Sequence, residues 1–198
     1  FKAHQNHTDN ILVLDSNNKE SYHIEDILDE DYDAYIVTKK NIATLITTAD
    51  CNPVIVYDPI KNIVANIHSG WKGTIKKIVI KTCEKLINEF GCNASDLIVC
   101  IGPSIKKCCF SSEEESFKKI FTDVWKNEED YMFYEDNLKR FHIDLVYLIK
   151  KDLEKLGVKN IIDSNICTVC NSNDFFSYRS ATKNKQKNYG LMATIVSL

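Results

Sequence analysis

Thr47-Thr48-Ala49-Asp50-Cys51-Asn52-Pro53-Val54, followed by Ala65-Asn66-Ile67-His68-Ser69-Gly70-Trp71-Lys72-Gly73-Thr74, is the stretch on which the reading of this chain turns. Cys51 comes just after an apolar run that ends in polar residues, at the place where a strand stops and α/β proteins put their sites. His68 ends the second strand that follows. A hairpin between these strands brings Cys51 and His68 to one edge. Ser69-Gly70-Trp71-Lys72-Gly73 then turns into a helix, and a helix N-terminus offers free N–H groups to an anion.

The surrounding runs have the same character. Ile11–Asp15, Ala34–Thr38, Ala43–Thr47, Val54–Tyr57, Ile63–Ile67 and Leu97–Ile101 are short, rich in Val, Ile and Thr, and bounded by Asn, Asp, Pro or Gly, which predicts strands. Several are apolar throughout, as in a sheet covered on both faces. Thr74–Phe90 repeats apolar residues at helical spacing and ends at Gly91. Asp144–Leu156 does the same before Gly157, and Glu113–Trp125 reads as a helix capped by Ser111 or Ser112. Asn160–Ile166 and Leu191–Val196 read as strands, Lys183–Asn188 as a basic loop, and the acidic run Glu25–Asp33 as a solvated loop or helix face. The pattern predicts one layered α/β domain over residues 1–198, with a mixed sheet and flanking helices.

Composition narrows the partners. The chain has 198 residues, 44% of them hydrophobic, and a net charge of −3, so nothing asks for a nucleic acid or an anionic membrane. No apolar run reaches the roughly 18 residues that span a bilayer. The start, Phe1-Lys2-Ala3-His4, lacks the charged and apolar regions of a signal peptide and has no Met, as expected of a truncated or processed chain in the cytoplasm. Eight cysteines at irregular spacing read as core residues or ligands, with Cys83, Cys92 and Cys100 in the core. Of the two arginines, Arg140 reads as a surface ion pair; Arg179 is either that or an oxyanion ligand.

Cys51 and His68 fall one short of the three protein ligands of a catalytic zinc. His4, His7, His23 and His142 are all candidates for the third. Asp50 holds a ligand, moves a proton, or only caps the turn at Asn52-Pro53. Trp71 either stacks on an aromatic substrate or packs in the core. His23-Ile24-Glu25 and Cys167-Thr168-Val169-Cys170 imitate a zinc-deaminase signature, but no Pro precedes the Cys pair and the two halves lie far apart in sequence. Cys167 and Cys170 are otherwise incidental, a redox pair or part of a structural zinc site that Cys108-Cys109 join only if folding brings them close.

Gln5-Asn6-His7, Thr48-Ala49-Asp50-Cys51-Asn52-Pro53-Val54, Ile67-His68-Ser69-Gly70-Trp71-Lys72-Gly73-Thr74, Ile101-Gly102-Pro103-Ser104-Ile105 and Phe175-Phe176-Ser177-Tyr178-Arg179 resemble, in order, the YfiH family of laccase-domain or polyphenol oxidase proteins, more recently purine nucleoside phosphorylases. The resemblance implies a layered α/β fold similar to that of a bacterial toxin with a Cys–His hydrolase site. It implies zinc on His7, Cys51 and His68. Beside such a metal, Asp50, Lys72 and Arg179 are the candidates for catalysis and Ser69, Gly70 and Trp71 for lining the substrate pocket. It also implies phosphorolysis of adenosine, inosine and methylthioadenosine, adenosine deamination, and in some members peptidoglycan-precursor editing. Zinc on two imidazoles and a thiolate keeps an open position and acidifies a bound water. Blue-copper and cluster chemistry needs about ten histidines, against five here, so copper is not expected. Two departures stand out. Some fifty residues that usually precede the Gln-x-His motif are missing, and Tyr189-Gly190-Leu191 stands where the family tends to have Thr-Gly-Arg, which leaves more to Arg179 or Lys72. A metal-free hydrolase with Cys51 as nucleophile and His68 as base, and a non-catalytic zinc protein, are the competing classes.

Overall fold

In a computed structural model, residues 1–15 and 31–198 are described. Strands β1 (Ile11–Leu14), β2 (Ala34–Val37), β3 (Ala43–Thr48), β4 (Asn52–Asp58) and β5 (Ile63–Ser69) follow the predicted runs closely. Next come the short helix α1 (Trp71–Ile75), the long helix α2 (Ile78–Phe90), and strands β6 (Ile98–Ile101) and β7 (Ser111–Ser112). Helix α3 (Glu115–Thr122), the hairpin β8 (Met132–Glu135) and β9 (Arg140–Ile143), helix α4 (Leu145–Leu156), strand β10 (Asn160–Asp163), helix α5 (Tyr178–Lys183) and strand β11 (Met192–Ser197) complete the order.

The main sheet runs β1-β2-β5-β4-β6-β10 and is mixed: the outer pairs are parallel and the inner pairs antiparallel. β5 is buried at every position, which is why its apolar residues Ile63, Val64, Ala65 and Ile67 do not alternate with exposed ones. On one face lie α2 and α4, packed through Ile78, Val79, Cys83, Leu86, Val146, Ile149 and Leu153. On the other lies a two-stranded sheet of β3 and β11, closed over Tyr35, Val37, Ile46, Val64 and Val196. Asn66, buried in β5, ties the sheets together by donating to the carbonyls of Thr44 at 3.3 Å and Thr194 at 3.1 Å. A third apolar cluster under α3 and the β8–β9 hairpin is built on Phe110, Phe121, Trp125 and Leu148.

Four expectations are corrected. The helix read over Thr74–Phe90 is two helices, broken at Lys77, whose φ of 64° is left-handed. Both pieces keep their apolar residues inward, so the periodicity runs through the break unmarked. The Lys77 ammonium instead reaches Asp152 and sits 3.7 Å over the Trp125 ring. The helix read over Glu113–Trp125 is shorter and its N-cap is Glu114, because Ser111 and Ser112 pair with β9. The acidic run is not solvated throughout, since Asp33 is wholly buried; its first six residues, with Asn17, Asn18 and His23, lie outside the described residues. Cys83 and Cys92 are core residues as expected, while Cys100 is half-buried.

Candidate metal centre and cavity

The β4–β5 hairpin pairs Pro53 with His68 and Asn52 with Ser69, and so places Cys51 beside the end of β5. Cys51 follows Asp50, whose φ of 90° makes the corner between β3 and β4. His7 arrives from the N-terminal segment, also with a left-handed φ of 56°. That segment is pinned on two sides. The Gln5 amide copies a strand edge, donating to the Thr47 carbonyl at 2.9 Å and accepting from its N–H at 2.7 Å. The Asp33 carboxylate accepts from the backbone N–H groups of Asn6, His7 and Thr8 at 3.3, 3.2 and 2.6 Å.

Asp33 also accepts from His68 Nδ1 at 2.6 Å, and its carbonyl takes the His68 N–H at 2.7 Å. One buried carboxylate thus fixes both imidazole-bearing segments and leaves Nε2 of His68 to face the Cys51 thiol. Cys51 Sγ lies 3.6 Å from His7 Nε2, and the donor atoms of His7, Cys51 and His68 all fall within 4.8 Å of one another. The electrostatics agree with a ligand set. Burial raises the Cys51 thiol, but hydrogen bonds from His68 and His7 outweigh it and bring it down to about 7. Burial disfavours the charged His68, yet Asp33 and Cys51 raise it to about 9. Asp33 is held below the usual carboxylate range despite its burial, chiefly by His68 and Thr8.

The cluster opens into a cavity of about 570 Å³ whose walls include Trp71, Phe110, Phe117, Tyr178, Arg179 and Tyr189. Arg179 Nη1 donates to the carbonyls of Cys109 at 3.0 Å and Ser111 at 3.3 Å, and no carboxylate pairs with it among the described residues. Arg140, by contrast, pairs with Glu113 at the surface. Asp50 lines the cavity, but its oxygens are engaged away from the ligands: Oδ1 accepts from Thr168 Oγ1 and Oδ2 from the Arg179 N–H, each at 2.7 Å. Of the pocket residues expected from sequence, Trp71 is on the wall. Ser69 is buried with its hydroxyl 3.0 Å from that of Thr74, and Lys72 lies outside the lining, with its ammonium 5.6 Å from the Trp71 ring centroid. Gly70 leaves room: a Cβ there would stand 2.6 Å from His7 Cδ2 and 2.9 Å from Cys51 Sγ. Of the other histidines, His4 is exposed beside Asp31 and His142 is held by the Lys107 carbonyl. Sequence reading missed Asp33, because a buried second-sphere carboxylate at the end of an acidic run carries no local mark.

Fold and cluster together define a mixed α/β protein of the YfiH type, with a Cys/His group able to hold a metal. The crystal structure of the hypothetical protein YfiH of Bacillus licheniformis superposes with a TM-score of 0.83, is 26% identical, and covers 100% of this chain and 74% of its own. The profile of the family described as multi-copper polyphenol oxidoreductase laccase matches residues 1–198, and the chain belongs to that family. A purine nucleoside phosphorylase of Clostridium acetobutylicum is 39% identical over 88% of this chain and 68% of its own length. An adenosine deaminase from an unknown prokaryotic organism is 31% identical over 76% of this chain and 57% of its own. The chain spans as little as 35% of a purine nucleoside phosphorylase of Mus musculus. Among the described residues no helix is long and apolar enough to cross a membrane.

Proposed function

We propose that residues 1–198 act as one YfiH-like unit, a cytoplasmic, zinc-dependent purine nucleoside phosphorylase that also deaminates adenosine, with adenosine, inosine and methylthioadenosine as substrates. The observation that carries the reading is the gathering of His7, Cys51 and His68 on the lining of an aromatic-walled cavity. Two imidazoles and an acidified thiolate, with a carboxylate orienting one ring, form a donor set that suits zinc. Zinc held there would supply a Lewis acid to substrate, phosphate or water.

The chain's own residues supply the rest. Trp71, Phe110, Phe117, Tyr178 and Tyr189 offer flat apolar faces to a purine. Arg179, lacking a carboxylate partner, presents a guanidinium to phosphate. Asp50 is a positioning residue in this reading: it holds the Arg179 backbone and Thr168, and so sets where the guanidinium sits. Lys72, whose ammonium stands 5.6 Å from the centroid of the Trp71 ring on the cavity wall, is the second candidate cation for the phosphate. In phosphorolysis a phosphate oxygen bonds to C1′ as the C1′–N9 bond breaks and the purine takes up a proton. In deamination water adds at C6 and ammonia leaves.

Each nucleoside is incubated with the protein, with and without phosphate, and the products are separated and weighed. Phosphate-dependent free base with ribose-1-phosphate, or 5-methylthioribose-1-phosphate from methylthioadenosine, lost in Cys51→Ala and His68→Ala, is the expected result. Turnover unchanged in both variants would overturn the reading. The low thiol of Cys51 beside His7 also suits a metal-free Cys–His hydrolase; a protein free of zinc whose Cys51 is rapidly alkylated would favour that class.

A further inference from the structure

Four cysteines that the cavity does not use meet at a second place. Cys108 and Cys109 lie on the loop after β6, and Cys167 and Cys170 on the turn after β10. The two loops are stitched by backbone bonds, Ser104 N–H to the Ile166 carbonyl at 3.2 Å and Thr168 N–H to the Ser104 carbonyl at 3.1 Å. The four sulfurs fall within 4.8 Å of one another, and Cys170 Sγ stands 3.6 Å from Cys108 Sγ and 3.5 Å from Cys109 Sγ. A tetrahedron with metal–sulfur bonds of about 2.3 Å has sulfurs roughly 3.8 Å apart, so the two separations from Cys170 are close to those of a tetrathiolate site and the rest lie within about 1 Å of it.

We propose that Cys108, Cys109, Cys167 and Cys170 form a structural zinc site, separate from the His7–Cys51–His68 cluster. Four thiolates leave no open coordination position, so the site is not catalytic. A carboxylate- and imidazole-free set selects a thiophilic, tetrahedral cation over magnesium or calcium. Backbone N–H groups of Lys106, Cys170 and Val169 point at the Cys167 sulfur and favour its thiolate. Without a cation the four cannot ionise together; a dication removes that repulsion as it displaces their protons.

The place of the site gives it a role. Thr168, next to Cys167, donates to Asp50, and the Cys109 carbonyl accepts from Arg179. Ile105, on the same loop as Cys108, donates its N–H to the Asp50 carbonyl at 2.8 Å. The zinc therefore clips together the two loops that hold Asp50 and Arg179 on the cavity wall. The last step rests on the cavity being the active site; the metal site itself does not.

Zinc is counted per chain by elemental analysis and native mass spectrometry on protein purified under reducing conditions. Wild type is expected to hold two equivalents, Cys51→Ala one, and Cys170→Ser one. The Cys51→Ala protein leaves all four thiols intact, so it decides the matter even if Cys170→Ser fails to fold. Loaded with cobalt(II), that protein is expected to show the strong visible and charge-transfer bands of a tetrahedral tetrathiolate. No metal and no such bands in Cys51→Ala would overturn the proposal. So would iron with acid-labile sulfide, or a Cys108–Cys170 or Cys109–Cys170 disulfide found by peptide mapping. If the first cluster is the one that holds no zinc, wild type and Cys51→Ala carry the same single equivalent.

Discussion

Asp33 does more than any other side chain to define the site, and it does so without facing the cavity. Its carboxylate orients His68 and gathers three consecutive backbone N–H groups around His7. Asp33→Asn keeps the shape but gives up the charge that steadies a ligating imidazole. Metal affinity is expected to fall roughly 10- to 100-fold, as measured by competition with a chromophoric chelator; unchanged affinity would show that His68 needs no orienting partner. Gly70 is the complementary case. Its φ of −73° suits any residue, so the requirement is space. Gly70→Ala drives a methyl into His7 and Cys51 and is expected to expel metal from this cluster while destabilising the fold by about 1–3 kcal/mol, the usual range for overpacking. Elemental analysis beside circular dichroism checks it, and a folded variant with full zinc would refute it. Cys51 and His68 were legible in the sequence because each stands at the polar end of an apolar run. His7 was singled out by resemblance alone, since four histidines fitted the spacing argument equally. Asp33 was not legible, because its role exists only once β2 lies beside β5.

At the scale of elements, sequence patterning succeeded wherever one face meets the core and failed where the chain turns for local reasons. The strands β1 to β6 and the helix α4 carry runs or periods that burial enforces. The β8–β9 hairpin was missed: Phe133 and Tyr134 are exposed, so its strands lack clean alternation. Helix α5 is six residues, too short for a period to register. The helix break at Lys77 fell inside an unbroken apolar pattern, for the reason given by its partners Asp152 and Trp125. The turn of the β8–β9 hairpin offers a direct test. Lys139 closes it with a φ of 53° and donates its N–H to the Asp136 carbonyl. A left-handed conformation costs a residue with a Cβ about 1–2 kcal/mol, which glycine avoids at some loss of chain entropy. Lys139→Gly is expected to stabilise the protein by about 0.5–1 kcal/mol, read from the urea midpoint at constant slope. A lower midpoint would mean that the lysine side chain contributes more than its backbone strain removes.

Over the whole molecule, the ligands of the first cluster come from three separate stretches: the N-terminal segment, the corner between β3 and β4, and the end of β5. None is adjacent to another in the chain, and an unfolded chain has no preformed site, so metal binding is coupled to folding. A ligand present at about 100 times its dissociation constant adds about 2.7 kcal/mol to stability. For a domain of this size each 1 kcal/mol moves the thermal midpoint about 2–4 °C. Chelation is therefore expected to lower the midpoint by roughly 5–10 °C. The scan is run in Cys170→Ser, so that the four-cysteine cluster cannot contribute, and repeated in Cys170→Ser combined with Cys51→Ala. The chelator should shift the first protein and leave the second unmoved. If chelation strips the zinc from the first protein and its midpoint stays put, the three segments are held without the metal, by Asp33 and Gln5 alone. The cluster would then be a site that the fold builds fully before any ion arrives.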